Sequence, residues 1–294
     1  MNRPIKILSG LIATVLSLAL PSAIGADAST KTPAHEHFDF VQAGRHVTVW
    51  LFSPKDATPQ APVVFVMHGV KRDGENYLQD WVPLARERGF VLVVPEFSNA
   101  EFPGYQSYNF GNIVDIAGHA LPREQWSFSF IEPIFDAVRK RTGNRSERYL
   151  LYGHSAGGWF VQRFVFFMPQ ARVARAVSAN AGLYLMPDFT TAFPYGLKKT
   201  SLTDFDLRRA LAAPFVVLLG TADTDPQARL LWHTPEAEAQ GSHRFARGIY
   251  FFKQAEAAAQ NLHTPFGWRL STASGVGHSD AGMAPLAVKS LFPE

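Results

Sequence analysis

The 294-residue chain contains no cysteine. No disulfide can close its loops and no lipoprotein anchor can be attached, so its stability has to come from a packed core. Its apolar stretch Ile7 to Leu20 falls short of the ~20 residues a helix needs to cross a bilayer. No Lys/Arg-rich run with interleaved aromatics occurs, which excludes a nucleic-acid surface. Internal repeats, low-complexity tracts and Ser/Gly-rich linkers are also missing, and nothing divides the chain. What it has is apolar mass: 47% hydrophobic against 18% charged residues, enough for one large core.

The N-terminus reads as a leader. Arg3 and Lys6 precede Ile7 to Leu20, Pro21 breaks the run, and small residues follow. That pattern predicts a secretory signal peptide over residues 1–26, cleaved after Gly25, Ala26 or Ala28. Residues 27–294 would then be a single exported domain, periplasmic or extracellular, with no stable membrane anchor. Removing 26 residues takes two basic and no acidic side chains, lowering the formal charge from +3 to +1, that is 26 basic minus 25 acidic. So small a charge does not call for an acidic partner. Nothing in the sequence specifies an oligomeric state.

The chemistry begins at Tyr149 to Gly158, Tyr-Leu-Leu-Tyr-Gly-His-Ser-Ala-Gly-Gly. Gly153, Ser155 and Gly157 form Gly-x-Ser-x-Gly between a short apolar strand and a predicted helix, Trp159 to Met168. A serine on such a turn has a strained backbone that lifts its hydroxyl above the sheet edge. The partners of a nucleophilic serine are expected later, an acid and then a histidine, each after a strand. Ala213 to Gly220 is a continuous apolar run that reads as a buried parallel strand, and Asp223 and Asp225 follow it. One can be the acid while the other caps the turn before Pro226. Gly267 to Ser274 reads as a last strand and leads to Gly277-His278. Loops at the C-terminal strand ends share one rim, so Ser155, one aspartate and His278 can meet there. Upstream, Pro62 to Met67 is another buried run and ends in His68-Gly69-Val70. Gly69 lets the N–H of Val70 turn toward the site, and Ala156 follows the serine; together they would supply the two oxyanion donors.

With these four motifs in this order, the chain resembles the α/β-hydrolase superfamily, and within it the secreted esterase and polyester (polyhydroxybutyrate) depolymerase-like branch. The resemblance spans Pro62 to Leu291. It implies an α/β fold with a mostly parallel sheet, helices on both faces and a small aromatic-rich lid-like insertion. It also implies Ser155 as nucleophile, Asp223 rather than Asp225 as acid, His278 as base, and Val70 and Ala156 as oxyanion donors. Its departure from many secreted relatives is the missing cysteine. The expected activity is hydrolysis of small-molecule or polymeric carboxylic esters through an acyl-enzyme, without cofactor or metal. A peptidase or an acyltransferase on the same triad is the alternative, and a non-catalytic binding module would have lost a triad element.

Further along, His46 to Phe52, Phe90 to Val94 (stopped by Pro95) and Val173 to Ser178 read as strands, and Glu75 to Arg88, Trp126 to Arg141, Ser242 to Leu262 and Ser279 to Leu291 as helices. Two aromatic-rich segments, Asn99 to Ile113 and Leu183 to Phe205, interrupt the alternation, and long loops on a catalytic rim carry specificity. Tyr184, Phe193 and Tyr195 are the predicted walls of the acyl pocket. Trp159 is expected in the core, His154 is expected to be structural, and Arg172 and Arg175 are expected on a solvated edge. His35 and His37, on an N-terminal tail with no third ligand nearby, do not suggest a metal site.

Overall fold

Five consecutive buried residues, Val63 to Met67, show how the sequence builds the sheet. Val63, Phe65 and Met67 enter one apolar cluster, while Val64 and Val66 enter another. Tyr149 to Tyr152 and Phe215 to Leu219 divide in the same alternating way. Successive side chains of a strand point to opposite faces, so a run apolar at every position is a strand covered on both sides.

The computed structural model describes residues 35–293. Its strands are β1 (Glu36–Gln42), β2 (Arg45–Phe52), β3 (Val63–Met67), β4 (Val91–Glu96), β5 (Tyr149–His154), β6 (Val173–Ala179), β7 (Phe215–Gly220) and β8 (Trp268–Ala273). They form one eight-stranded sheet in the order β1-β2-β4-β3-β5-β6-β7-β8. The pairs β1/β2 and β2/β4 are antiparallel, and every pair from β4/β3 onward is parallel. The helices are α1 (Gly74–Arg88), α2 (Gly104–Ser107), α3 (Ile131–Thr142), α4 (Ala156–Phe167), α5 (Asp204–Ala212), α6 (Pro235–Glu238), α7 (Arg244–Asn261) and α8 (Asp280–Leu291). The larger cluster holds Ile134 and Phe135 of α3, Phe160 of α4, Leu207 of α5 and Phe251 of α7. The smaller holds Leu78 and Trp81 of α1 and Met283 and Ala287 of α8. This is the expected fold, a mostly parallel sheet with helices on both faces.

Three expectations need correction. Pro95 does not stop β4 but pairs with Val49 of β2 inside it. The β3 partners of β4 end at Val93, so Pro95 is flanked on one side only, an edge environment in which its missing N–H is harmless. The helix expected from Trp126 begins at Ile131, after 3-10 turns at Arg123–Gln125 and Ser127–Phe130. Pro133 thus falls in the first turn of α3, where a missing N–H removes no helical bond. Arg172 is not merely solvated: its Nε donates to Glu132 at 2.6 Å and its Nη1 to Asp136 at 2.8 Å, tying the loop before β6 to α3. Strand β1 was not expected; it alternates exposed and half-buried residues along the edge. His35 pairs with Glu75, and the His35 and His37 rings lie against Trp50. Among the described residues no helix is long and apolar enough to cross a membrane. The leader expected over residues 1–26 lies outside the described residues.

Candidate active site

Strand β5 enters helix α4 through a single residue, Ser155, with φ 55° and ψ −114°. A non-glycine residue held there is strained, and two neighbours show what holds it. A Cβ on Gly153 would fall on the Gly157 carbonyl, and one on Gly157 would fall on the Met67 carbonyl at the end of β3. Only glycines let α4 pack this closely on β5 and β3. The Ser155 N–H is also spent on the Ala179 carbonyl of β6, at 3.0 Å. The serine is pinned, and its hydroxyl is left to the rim.

His278 arrives on the loop between β8 and α8. Its Nε2 lies 2.9 Å from Ser155 Oγ, and its Nδ1 lies 2.7 Å from Asp223 Oδ2. With Nδ1–H donating to the carboxylate, Nε2 is left to accept the serine hydroxyl proton. Asp223, buried beyond β7, also faces the Arg244 guanidinium at 3.5 Å. The other aspartate, Asp225, is exposed and accepts the Gln227 N–H at 2.8 Å, the bond of a local turn. The structure therefore brings Ser155, Asp223 and His278 together and leaves Asp225 outside.

The loops that carry the acid and the histidine are stitched to each other. Asn180, buried at the end of β6 with φ 47°, accepts the Gly220 N–H at 2.7 Å and donates to the Gly277 carbonyl at 2.9 Å. Ala222 N–H donates to the Val276 carbonyl at 3.0 Å, and Gly275 N–H to Thr221 Oγ1 at 2.8 Å. Sequence reasoning missed Asn180; its position directly after β6, on the same rim, was the available signal.

Val70 and Ala156 line one cleft with Ser155 and His278. A Cβ on Gly69 would stand 4.0 Å from the Ser155 Cβ, so the loop after β3 lies beside the nucleophile. That loop is anchored by His68: its Nε2 accepts the Phe97 N–H at 2.9 Å, and Tyr108 stacks on its ring while donating to its carbonyl at 2.9 Å. Burial drives the His68 pKa down to about 3, which keeps the ring neutral as an acceptor. Ala156 opens α4, so its N–H has no carbonyl one turn back. His154 is buried beneath the site, its Nδ1 3.1 Å from the Tyr77 hydroxyl and its ring 4.8 Å from that of His278. Burial first, and the neighbouring His278 second, hold its pKa well below the imidazole range, in keeping with a structural role.

The cleft has a volume of about 600 Å³ and opens to solvent. Its walls are not the expected ones: Tyr184, Phe193 and Tyr195 are not among the residues lining it. Tyr184 is fully buried against Phe251. Phe193 packs on Phe110 and Phe167, and the Tyr195 hydroxyl bonds Thr234 at 2.9 Å. These aromatics hold the insertion down, because their rings find partners in the loops and helices behind the rim. The cleft is lined instead by Tyr105, Asn109, Trp159, Leu230 and Arg244, with Lys71 and Arg229 exposed at its edge. Tyr105 stacks on Trp159 at 5.5 Å and meets Trp232 edge-on at 5.2 Å. Trp159 is buried in the core, as expected, and also borders the cleft. Among the described residues no group of three or more His, Cys, Asp or Glu side chains could hold a metal ion.

No known family model matches the chain, and no curated protein does. Solved structures do. A poly(aspartic acid) hydrolase from Sphingomonas sp. KT-1 is 45% identical and superposes with a TM-score of 0.86, over 88% of this chain and 98% of that one. A poly(3-hydroxybutyrate) depolymerase from Bordetella parapertussis is 33% identical with a TM-score of 0.84, over 88% of this chain and 90% of that one. An S-formylglutathione hydrolase from Agrobacterium tumefaciens shares the fold at 15% identity and a TM-score of 0.55, over 86% of this chain and 90% of that one.

Proposed function

This chain belongs to the α/β-hydrolase superfamily, in the branch that holds those two polymer hydrolases, and from that membership we propose an exported serine hydrolase that cleaves carboxylic esters through an acyl-enzyme. The single observation carrying the mechanism is the unbroken relay from Ser155 Oγ to His278 Nε2, and from His278 Nδ1 to Asp223, in one open cleft. Ser155 attacks the scissile carbonyl as His278 takes its proton. Asp223 fixes the imidazole tautomer and stabilises the imidazolium that forms. The N–H groups of Val70 and Ala156 receive the oxyanion, with the N-terminal end of α4 adding its dipole. His278 then protonates the leaving alcohol, and a water it activates frees the acid product. None of these steps calls for a metal or a cofactor.

The substrate class is a carboxylic ester, polymeric or of short to medium acyl length, as the depolymerase relative and the open cleft support. A second reading is cleavage of an acidic, amide-linked polymer. The 45% identical poly(aspartic acid) hydrolase supports it, as do Lys71 and Arg229 exposed at the cleft edge. Export rests on the leader pattern of residues 1–26.

Ser155→Ala tests the mechanism. Hydrolysis of nitrophenyl esters of graded acyl length, of insoluble poly(3-hydroxybutyrate) and of poly(aspartic acid) should fall to background together. A fluorophosphonate should label the wild type at Ser155 alone. An active variant, or labelling elsewhere, rejects this assignment, and the polymer that the wild type turns over decides between ester and amide.

A further inference from the structure

Asn109 lines the cleft and is 1% exposed, yet neither its Nδ2 nor its Oδ1 has a hydrogen-bond partner. Among the described residues no other buried carboxamide has both polar atoms unpartnered. Gln162, Asn180 and Gln240, equally buried, bond through both ends of their amides. A buried amide with no protein partner is costly, and a polar group entering the cleft beside it would relieve that cost.

Nor can the side chain escape to find one. Tyr108 before it is fully buried, stacked on His68 at 4.7 Å and hydrogen-bonded to the His68 carbonyl, and Arg72 caps its outer face at 4.3 Å. Phe110 after it is buried against Trp159 at 5.9 Å. Phe110 N–H donates to the Tyr105 carbonyl at 3.0 Å and Asn112 N–H to the Gln106 carbonyl at 3.0 Å, so the loop is closed on itself. The same Tyr108 that immobilises Asn109 braces the residue preceding Gly69 and Val70. A rigid donor and acceptor are thus held in fixed register with the oxyanion loop.

We propose that Asn109 is a substrate-positioning residue whose carboxamide pairs with a polar group of the substrate beyond the scissile carbonyl: a hydroxyl, a carbonyl or an amide of the adjoining unit. This rests on the acyl-transfer reading at Ser155 and deepens it. A chain of repeating polar units presents such a group; a plain alkyl ester does not. A site built around a buried polar group discriminates against analogues that leave the group unpaired.

The test compares kcat/KM for two esters of matched length. One is the methyl ester of a 3-hydroxybutyrate dimer, polar on both sides of the scissile bond; the other is an alkyl butyrate, polar on neither. The wild type should prefer the dimer. Asn109→Leu, close to the same shape without polar atoms, should lower the dimer-to-alkyl ratio about tenfold or more, chiefly through KM for the dimer. Its Tm should equal or exceed that of the wild type, because removing an unpaired buried amide relieves the free enzyme. An unchanged ratio overturns the proposal, as does a lowered Tm with parallel losses on both esters, which would show a packing role. If the leucine variant does not fold, Asn109→Ala is read by the same ratio. Ser155→Ala, run alongside, separates this failure from failure of the acyl-enzyme reading: activity surviving in that control rejects the mechanism, whatever Asn109 does.

Discussion

Replacing Asp280 with asparagine should change how stability depends on pH, and the size of the change can be worked from its surroundings. Asp280 is buried at the start of α8, where its carboxyl accepts from Trp81 Nε1 at 3.2 Å and from the Tyr152 hydroxyl at 2.8 Å. Burial outweighs those two donors and pushes its pKa up to about 7, with Asp80 and Asp73 adding in the same direction. In the unfolded chain an aspartate titrates near ~3.9. Between these values the native state holds a proton that the unfolded chain has released, so this group's contribution falls as pH rises. The slope is about 1.4 kcal/mol per pH unit, and the whole loss at most about 4 kcal/mol. Two buried histidines act oppositely in an overlapping window. His68, driven down to about 3, and His154, also well below the usual range, stay neutral when folded. The unfolded chain therefore binds protons at these histidines as pH falls below about 6.5, and they favour folding as pH rises. A raw wild-type profile mixes both signs. Asp280→Asn leaves the histidines alone, so the difference between variant and wild type isolates the carboxyl. Asparagine keeps an acceptor for Tyr152 and loses the one for Trp81, a pH-independent cost on the order of 1 kcal/mol. The variant should be about level with the wild type at pH ~4.5 and the stronger, by roughly 3 kcal/mol, at pH ~7.5. Urea unfolding at half-unit steps of pH, with m compared between the proteins, measures this. A flat difference refutes the buried proton, and a difference falling with pH means that the carboxylate is stabilised in the fold.

Two other substitutions address the site and its surroundings. Asp223→Asn should lower turnover by about four orders of magnitude by leaving His278 in the wrong tautomer, whereas Asp225→Asn should cost no more than about 1 kcal/mol of stability from a weakened turn; steady-state kinetics and melting curves on both variants check the ranking, and the reverse order moves the acid to Asp225. Phe193→Ala should lower stability by about 1–2 kcal/mol while leaving the preference among nitrophenyl esters of different acyl length as it was, because its ring packs on Phe110 and Phe167; a loss that grows with chain length would return the acyl group to this segment.

How legible each part was follows from how local its cause is. Ser155, Asp223 and His278 stand directly after strands whose apolar runs are continuous, and a parallel sheet delivers all such ends to one rim; their encounter needed no knowledge of packing. The same holds for the sheet, since runs like Val63 to Met67 cannot be solvated on either face. The cleft walls were illegible for the opposite reason. Tyr184, Phe193 and Tyr195 look like Tyr105 and Trp159 in composition, and only the path of two long loops decides which rings face the serine. Asn109, Arg244 and Asn180 are polar residues whose meaning lies in partners more than 20 residues away or, for Asn109, in having none. Edge strand β1 was overlooked because its polar alternation resembles a tail; only pairing with β2 distinguishes the two.

Asn180 has a consequence for anyone wishing to alter this enzyme. Because one carboxamide grips Gly220 on one side and Gly277 on the other, the turn after β7 and the turn after β8 have a fixed relative length. Adding or deleting a residue in either would slip the cross-loop bonds at Ala222 and Gly275 and separate acid from base, however conservative the inserted residue. The segment Leu183 to Phe205 carries no triad member and none of the residues lining the cleft, and changes of length there reshape the rim without passing through the proton relay. The molecule is thus divided into a part to be copied whole and a part open to redesign, and the border between them is drawn by a side chain outside the triad.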